Sequence, residues 1–235
     1  MNKISVCVVI PAYNEGKKIR SILENAKLVF KKSDKYSVDI VVINDGSSDN
    51  TSDEAKNSGV YVIDHILNTG VGGATSTGLS YVKQKSYDIA ATMDADGQHK
   101  PEDVMRGIDE IIKQKTDLLI GSRLIDNKGM SRLKLIGNRG LSFITLVLFG
   151  INSTDSQSGL RIYSRKALEQ LRWKTSGYEF CSEMLWRAKQ LGLIISEYPI
   201  VAIYTEYSKS KGQNNWNAVN IVKSLVKQRI VELLG

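Results

Sequence analysis

The sequence predicts an α/β protein, a mostly parallel sheet flanked by helices, and three observations predict it. Runs rich in Val and Ile at residues 4–10, 38–44, 88–93 and 117–121 are apolar on both faces, as strands buried in a parallel sheet must be. Segments of helical periodicity separate them. Several of these runs end in loops dense in Gly, Asp and Asn, on the side where open α/β sheets bind ligands. A length of 235 residues suits one such domain with an appendage.

Taken in order, residues 4–10 alternate little, and Pro11-Ala12-Tyr13-Asn14-Glu15-Gly16 ends the strand. Residues 17–30 carry Ile19, Ile22, Leu23, Ala26 and Phe30 at helical spacing. A second strand at 38–44 closes on Asp45-Gly46-Ser47-Ser48-Asp49, and a short helix at 52–58 and a strand at 60–63 follow. Asn68-Thr69-Gly70-Val71-Gly72-Gly73 is a glycine-rich turn leading into a helix at 74–84. A strand at 88–93, a helix at 101–113 opening on Pro101 and a strand at 117–121 complete the β-α alternation, which implies parallel strands joined by right-handed crossovers. Beyond Ser122-Arg123 the regularity breaks. A helix at 130–149, a short strand at 161–163 and a helix at 177–190 lead to an extended stretch at 194–204, interrupted by Pro199. A polar loop at 208–215 and an amphipathic helix at 216–234 end the chain.

Hydrophobic content of 42% and charged content of 24% are those of an ordinary globular chain. A net charge of +7 implies an anionic partner: nucleic acid, a phosphorylated substrate or an anionic lipid surface. Lys and Arg are dispersed and no nucleic-acid-binding motif stands out, so no nucleic acid partner is expected. Cys7 and Cys181 fall in strand and helix patterns, as reduced core thiols of a reducing compartment do. The N-terminus lacks a leader pattern. The longest apolar run, residues 141–151, is about half the ~20 residues a spanning helix needs. The expectation is a cytoplasmic chain that does not cross a membrane but lies on its inner face.

The segment Asp94-Ala95-Asp96-Gly97-Gln98-His99 carries the most chemistry. Two carboxylates one residue apart at a strand's carboxyl end point to one side, because side chains alternate with period two. Oxygen donors of this kind suit Mg²⁺ or Mn²⁺ shared with substrate phosphates. The alternative is a polar turn capping the helix that starts at Pro101.

Together with Pro11-Ala12-Tyr13-Asn14-Glu15 and Asn44-Asp45-Gly46-Ser47-Ser48-Asp49, this segment makes the chain resemble family 2 glycosyltransferases of the GT-A fold. Within them it is most similar to dolichyl- and polyprenyl-phosphate sugar synthases. The resemblance runs from about Ser5 to Ser210. It implies a metal-dependent, inverting transfer from a UDP- or GDP-sugar to a polyprenyl phosphate. It also implies one catalytic domain, 1–235: a nucleotide-sugar-binding half at 1–122, an acceptor-side half at 123–215 and the terminal helix at 216–235.

By the same resemblance, Pro11, Ala12, Tyr13 and Glu15 line the nucleotide, Asp45 bonds its base, and Asp94, Ala95 and Asp96 face the donor. Asp94, Asp96 and Gln98 gather round the metal. Gly72 lies in a loop close to the nucleotide, with its helix N-terminus toward the phosphates; plain packing of those glycines is the alternative. Arg123 and Arg139 hold the acceptor phosphate, a task suited to a planar guanidinium, with Arg132 competing for the second role. Asp155, in Asp155-Ser156-Gln157-Ser158-Gly159-Leu160-Arg161, sits near the reacting centre and orients the acceptor or balances charge, since a phosphate monoester needs no strong base. Lys209 and Lys211 close over the diphosphate, although the arginine usual before such a loop is absent here. His99 braces its loop, and His65 has no assigned role.

A second reading is a family 2 transferase extending a saccharide hydroxyl, with Glu183 or Asp155 as base and Glu179 one helical turn from Glu183; a structural role for the glutamate pair is the alternative. The apolar faces of 141–151 and 216–234 imply peripheral membrane attachment, assisted by a small membrane protein near the C-terminus.

Overall fold

The computed structural model describes residues 3–126, 130, 132–201, 203 and 215–234, and within them all side chains but those of 132–134, 215–219, 228 and 231–234. The elements are β1 (Ile4–Ala12), α1 (Ile19–Phe30), β2 (Tyr36–Asn44), α2 (Thr51–Asn57), β3 (Tyr61–Asp64), α3 (Val71–Gln84), β4 (Ile89–Thr92) and α4 (Pro101–Gln114). They continue with β5 (Leu118–Ser122), α5 (Arg132–Phe149), β6 (Arg161–Ser164), α6 (Arg165–Gln170), α7 (Phe180–Gln190), β7 (Ile195–Pro199) and α8 (Asn215–Leu234).

The seven strands form one sheet in the order β3-β2-β1-β4-β6-β5-β7. Pairings are parallel except those of β6, which runs antiparallel to both β4 and β5. Alternation along β1 divides the core. Val6, Val8 and Ile10 point to the layer of α1 and α4, and Cys7 and Val9 to the layer of α3, α7 and α8. Each such side chain, fully buried, contributes about 1.5–3 kcal/mol. Burial raises the Cys7 thiol to about 12 and the Cys181 thiol to about 11, so neither ionises near neutral pH.

Three details differ from the sequence reading. The helix α6 was not expected; it starts because the Ser164 side chain accepts from the Ala167 N–H at 3.2 Å, a cap without the glutamate that would have advertised it. The helix α3 begins at Val71, earlier than the glycines suggest. The last strand spans only Ile195–Pro199, since proline cannot continue the ladder.

The chain builds β1, β2 and β3 toward one edge, then crosses to place β4 on the other side of β1. Strand order reverses between β1 and β4, which opens a crevice at their carboxyl ends. Being antiparallel, β6 starts where β4 ends, with Thr92 opposite Arg161. This register delivers the 155–159 segment to the same crevice, and one sheet runs through both halves of the chain.

Candidate active site

Asp94 follows β4 at the floor of the crevice. Its Oδ2 lies 2.9 Å from Nε2 of His99, whose ring is buried. On its other side Gly159 packs so closely that a Cβ there would stand 2.2 Å from Asp94 Oδ1. Thr92 Oγ1 donates to the Gly159 carbonyl at 2.7 Å, which fixes the approach. Burial alone would raise the Asp94 carboxyl, but the bond and charge of His99, with Arg123 and Arg161 nearby, hold it below the usual range. Asp96 behaves oppositely: burial and the charge of Asp94 push it up. Gln98 bonds Asp96 through its backbone N–H at 2.9 Å and through its side-chain amide, so it orients that carboxylate.

Two carboxylates in mutual repulsion, beside an amide, fit a hard divalent cation, which would relieve that repulsion through oxygen ligands. Among the described residues no three His, Cys, Asp or Glu side chains are arranged to hold a metal by themselves. An ion on Asp94 and Asp96 would therefore share its coordination with substrate phosphate or water, as Mg²⁺ usually does.

Across the crevice, the loop after β1 is laced to the loop after β2. Asn14, with φ +54°, donates its N–H to Ser47 Oγ at 2.9 Å and accepts from the Ser48 N–H at 2.9 Å. The Glu15 N–H donates to Thr51 Oγ1 at 2.8 Å. Ala12 and Glu15 are buried, Pro11 is half-buried and the Tyr13 ring is 49% exposed at the mouth. Ala95 is buried beneath Asp94 and Asp96.

Asp45 is 3% exposed and its carboxylate bonds to the protein. Oδ1 accepts from His65 Nδ1 at 2.8 Å, the Thr69 N–H at 2.8 Å and Thr69 Oγ1 at 2.7 Å, and Oδ2 accepts from the Gly70 N–H at 2.8 Å. These bonds make Asp45 a post that holds the 65–70 loop. His65, which the sequence left without a role, is part of that post and bonds Thr77 Oγ1 at 3.0 Å through Nε2. Gly46, at φ +68°, lets the loop close: a Cβ there would meet the Asn68 nitrogen at 2.7 Å.

At the N-terminus of α3 the glycine loop packs against the 173–180 segment, as the packing alternative has it. The Gly72 N–H donates to the Ser176 carbonyl at 2.7 Å, and Trp173 Nε1 donates to the Gly72 carbonyl at 3.1 Å. A Cβ at Gly72 would meet the Thr175 carbonyl oxygen at 2.7 Å, so this glycine serves packing against the 173–180 segment.

Glu183 anchors that same segment. It is 0% exposed, and its carboxylate accepts from the N–H groups of Lys174 and Thr175, from Thr175 Oγ1 at 2.7 Å and from Arg187 at 3.5 Å. Glu179 is half-buried before α7, and the Glu183 carboxylate is engaged by its own loop, an arrangement that suits a structural role. Tyr178, 45% exposed, stays at the crevice, its phenol raised by burial and by the charges of Asp94, Asp96 and Glu15.

Asp155 is 0% exposed and takes Nε and Nη2 of Arg123 at 2.7 and 2.8 Å. Arg139 stands on the exposed side of α5. The side chain of Arg132, and Lys209 and Lys211 altogether, lie outside the described residues. Sequence reasoning missed Gly159 and Arg161 as site builders; both stand in a motif it quoted, but their contacts are three-dimensional.

With this geometry in place, the comparisons define the class. Residues 7–172 match Glycosyl transferase family 2, and the chain belongs to that family. It is 43% identical over 233 residues to a UDP-N-acetylglucosamine–dolichyl-phosphate N-acetylglucosaminyltransferase of Methanococcus voltae, covering 89% of this chain and 90% of that one. It is 31% identical over 218 residues to an undecaprenyl-phosphate mannosyltransferase of Micrococcus luteus, covering 88% and 86%. The fold is GT-A. A glucosyl-3-phosphoglycerate synthase of Mycobacterium tuberculosis superposes with a TM-score of 0.73 at 20% identity, over 97% of this chain and 79% of that one. The same enzyme bound to Mn²⁺, UDP and glucosyl-3-phosphoglycerate superposes with a TM-score of 0.67 at 20% identity, over 95% and 77%.

Proposed function

We propose that the chain is an inverting glycosyltransferase that moves a sugar from a UDP- or GDP-sugar to the phosphate of a polyprenol at the cytoplasmic face of a membrane. One observation carries the reading: a single turn, 155–159, backs Asp94 at one end and holds Arg123 at the other. A carboxylate suited to a cation and a guanidinium suited to phosphate thus belong to one crevice. The names of the relatives agree, since both act on a polyprenyl-type phosphate.

In this reading Pro11, Ala12, Tyr13 and Glu15 line the nucleotide, and Asp45 shapes the wall of its pocket through the 65–70 loop. Asp94, Asp96 and Gln98 would hold Mg²⁺ or Mn²⁺, which when bound neutralises the diphosphate and favours its departure. Arg123 and Arg139 grip the acceptor phosphate, whose second ionisation near pH 6 leaves it a ready nucleophile. Asp155 keeps Arg123 aimed. No base is required, in keeping with Glu183 being buried and saturated.

Extension of a saccharide hydroxyl is the competing function and would require such a base. The test is a thermal-shift panel of UDP- and GDP-sugars with Mn²⁺ or Mg²⁺, since a ligand of the folded state raises its stability. Transfer to a polyprenyl phosphate and to an oligosaccharide is then compared. Transfer to the lipid phosphate alone is expected; transfer to the oligosaccharide alone overturns the proposal.

Attachment to the membrane is part of the same proposal. Ile136, Phe143 and Val147 share one stripe of α5 and are 69%, 64% and 65% exposed. Among the described residues no helix is long and apolar enough to cross a membrane. A small membrane protein docking near the C-terminus would complete the attachment.

A further inference from the structure

Arg161 is 1% exposed, and among the described residues its charged head donates to neutral acceptors. Nη2 donates to the carbonyls of Ser156 and Cys181 at 2.7 and 3.3 Å, Nε to the carbonyl of Ser158 at 3.0 Å, and Nη1 to Met184 Sδ at 3.0 Å. Among the described residues no carboxylate lies within salt-bridge distance of it. Burying an unpaired cation costs several kcal/mol, and packing alone would be better served by an apolar side chain.

The return lies in what those carbonyls belong to. Ser156 and Ser158 are 0% exposed in an irregular turn, where unbonded carbonyls would be costly. One planar fork satisfies both and ties them to the first turn of α7. The turn leads directly into Gly159, which packs against the Asp94 carboxylate so closely that a side chain there would displace it.

We propose that Arg161 is a positioning residue for cation and donor binding: by pinning the 156–158 turn it sets where Gly159 stops and therefore where Asp94 stands. This rests on Asp94 being a cation ligand. Arg161 touches no substrate; it acts through the turn.

The experiment is a Mn²⁺ titration of nucleotide binding by calorimetry and thermal shift, using UDP or GDP, whichever the wild-type protein binds. Arg161→Lys keeps the charge but cannot reach both carbonyls with one fork. Its Mn²⁺ midpoint is expected to rise about tenfold or more, the usual cost of losing an outer partner of a ligand. Gly159→Ala, which pushes on Asp94 from the same side, should raise the midpoint as well. A folded Arg161→Lys with lower thermal stability but the wild-type Mn²⁺ midpoint overturns the proposal and leaves Arg161 merely structural. If the lysine variant does not fold, Gly159→Ala decides, and a wild-type midpoint there overturns it equally. Nucleotide binding by the wild type that ignores Mn²⁺ would remove the reading of Asp94, and this inference with it.

Discussion

Arg123 and Asp155 meet in a two-pronged ion pair, Nε to Oδ2 at 2.7 Å and Nη2 to Oδ1 at 2.8 Å, with the Arg123 backbone N–H adding a third bond at 3.1 Å. Thr154, the neighbour of Asp155, is held by Glu197 of β7 through its N–H at 2.9 Å and its hydroxyl at 2.5 Å. The edge strand thereby fixes a loop whose carboxylate aims an arginine at the crevice.

Asp155→Asn should cost about 3 kcal/mol, because it removes a fully buried carboxylate charge from its bidentate pair with a largely buried guanidinium. Urea unfolding at neutral pH measures this. Burial would raise the Asp155 carboxyl, yet Arg123 outweighs it and holds it below the ordinary value. A carboxyl depressed in the folded state stabilises above the unfolded value near 4 and loses that contribution as pH falls through the folded one. Asp64, lowered to about 2 by its bonds to Lys56, Ser52 and Asn44 despite burial, adds in the same direction. Wild-type stability should therefore fall from pH 5 toward pH 2, and the Asn variant should fall less steeply.

Asp96→Asn should fold normally and lose the stabilisation that Mn²⁺ with UDP or GDP gives the wild type, since an amide brings no negative charge to the cation. Loss of the repulsion with Asp94 should leave the apo protein as stable or slightly more so. A retained metal-dependent thermal shift would remove Asp96 from the ligand set.

Much of this was legible because the strands and their terminal motifs are local. Asp94 and Asp96 follow an apolar run, which marks the strand end, although β4 stops at Thr92 and Asp96 stands in the turn beyond it. The rest depended on register and on the return of distant segments. Nothing in the sequence pairs β6 antiparallel between β4 and β5, the arrangement that seats Gly159 on Asp94. His65 lacked a motif because its partners, Asp45 and Thr77, come from other elements. Glu183 looked like a base by its place in the 178–183 segment, and only folding of 174–175 onto it shows three of its donors.

Arg123→Lys and Arg139→Lys should each raise the apparent KM for a polyprenyl phosphate more than that for the nucleotide-sugar. A lysine offers a point charge where a fork is needed. Arg139 is exposed on α5, so its replacement should leave the melting temperature unchanged, while loss of the Asp155 pair should lower that of the Arg123 variant. Equal effects on both substrates would refute this division of labour.

Glu183→Gln should destabilise the protein by about 1–3 kcal/mol, as buried N–H donors lose a charged acceptor. Activity per folded molecule should keep the wild-type pH profile. A general base would behave otherwise: the alkaline plateau would collapse with little change in stability. Unfolding by urea and the pH dependence of kcat separate the two.

The final prediction concerns the membrane, and the structure dictates how it must be tested. Removing α8 is a poor experiment, because Ile221 and Leu225 on it are 3% and 0% exposed and belong to the core. Phe143 and Val147 on α5 are instead exposed, so Phe143→Ser with Val147→Ser leaves the core intact. If that stripe enters the interface, with the net charge of +7 drawing the protein to anionic lipid, the wild type should float with anionic vesicles. The double variant should bind more weakly by about 2 kcal/mol, roughly thirtyfold, from the apolar area it no longer buries. Circular dichroism checks that both are folded. Equal flotation of the two would place the contact elsewhere on the surface. Failure of the wild type to float, with no membrane protein co-purifying, would favour a soluble acceptor.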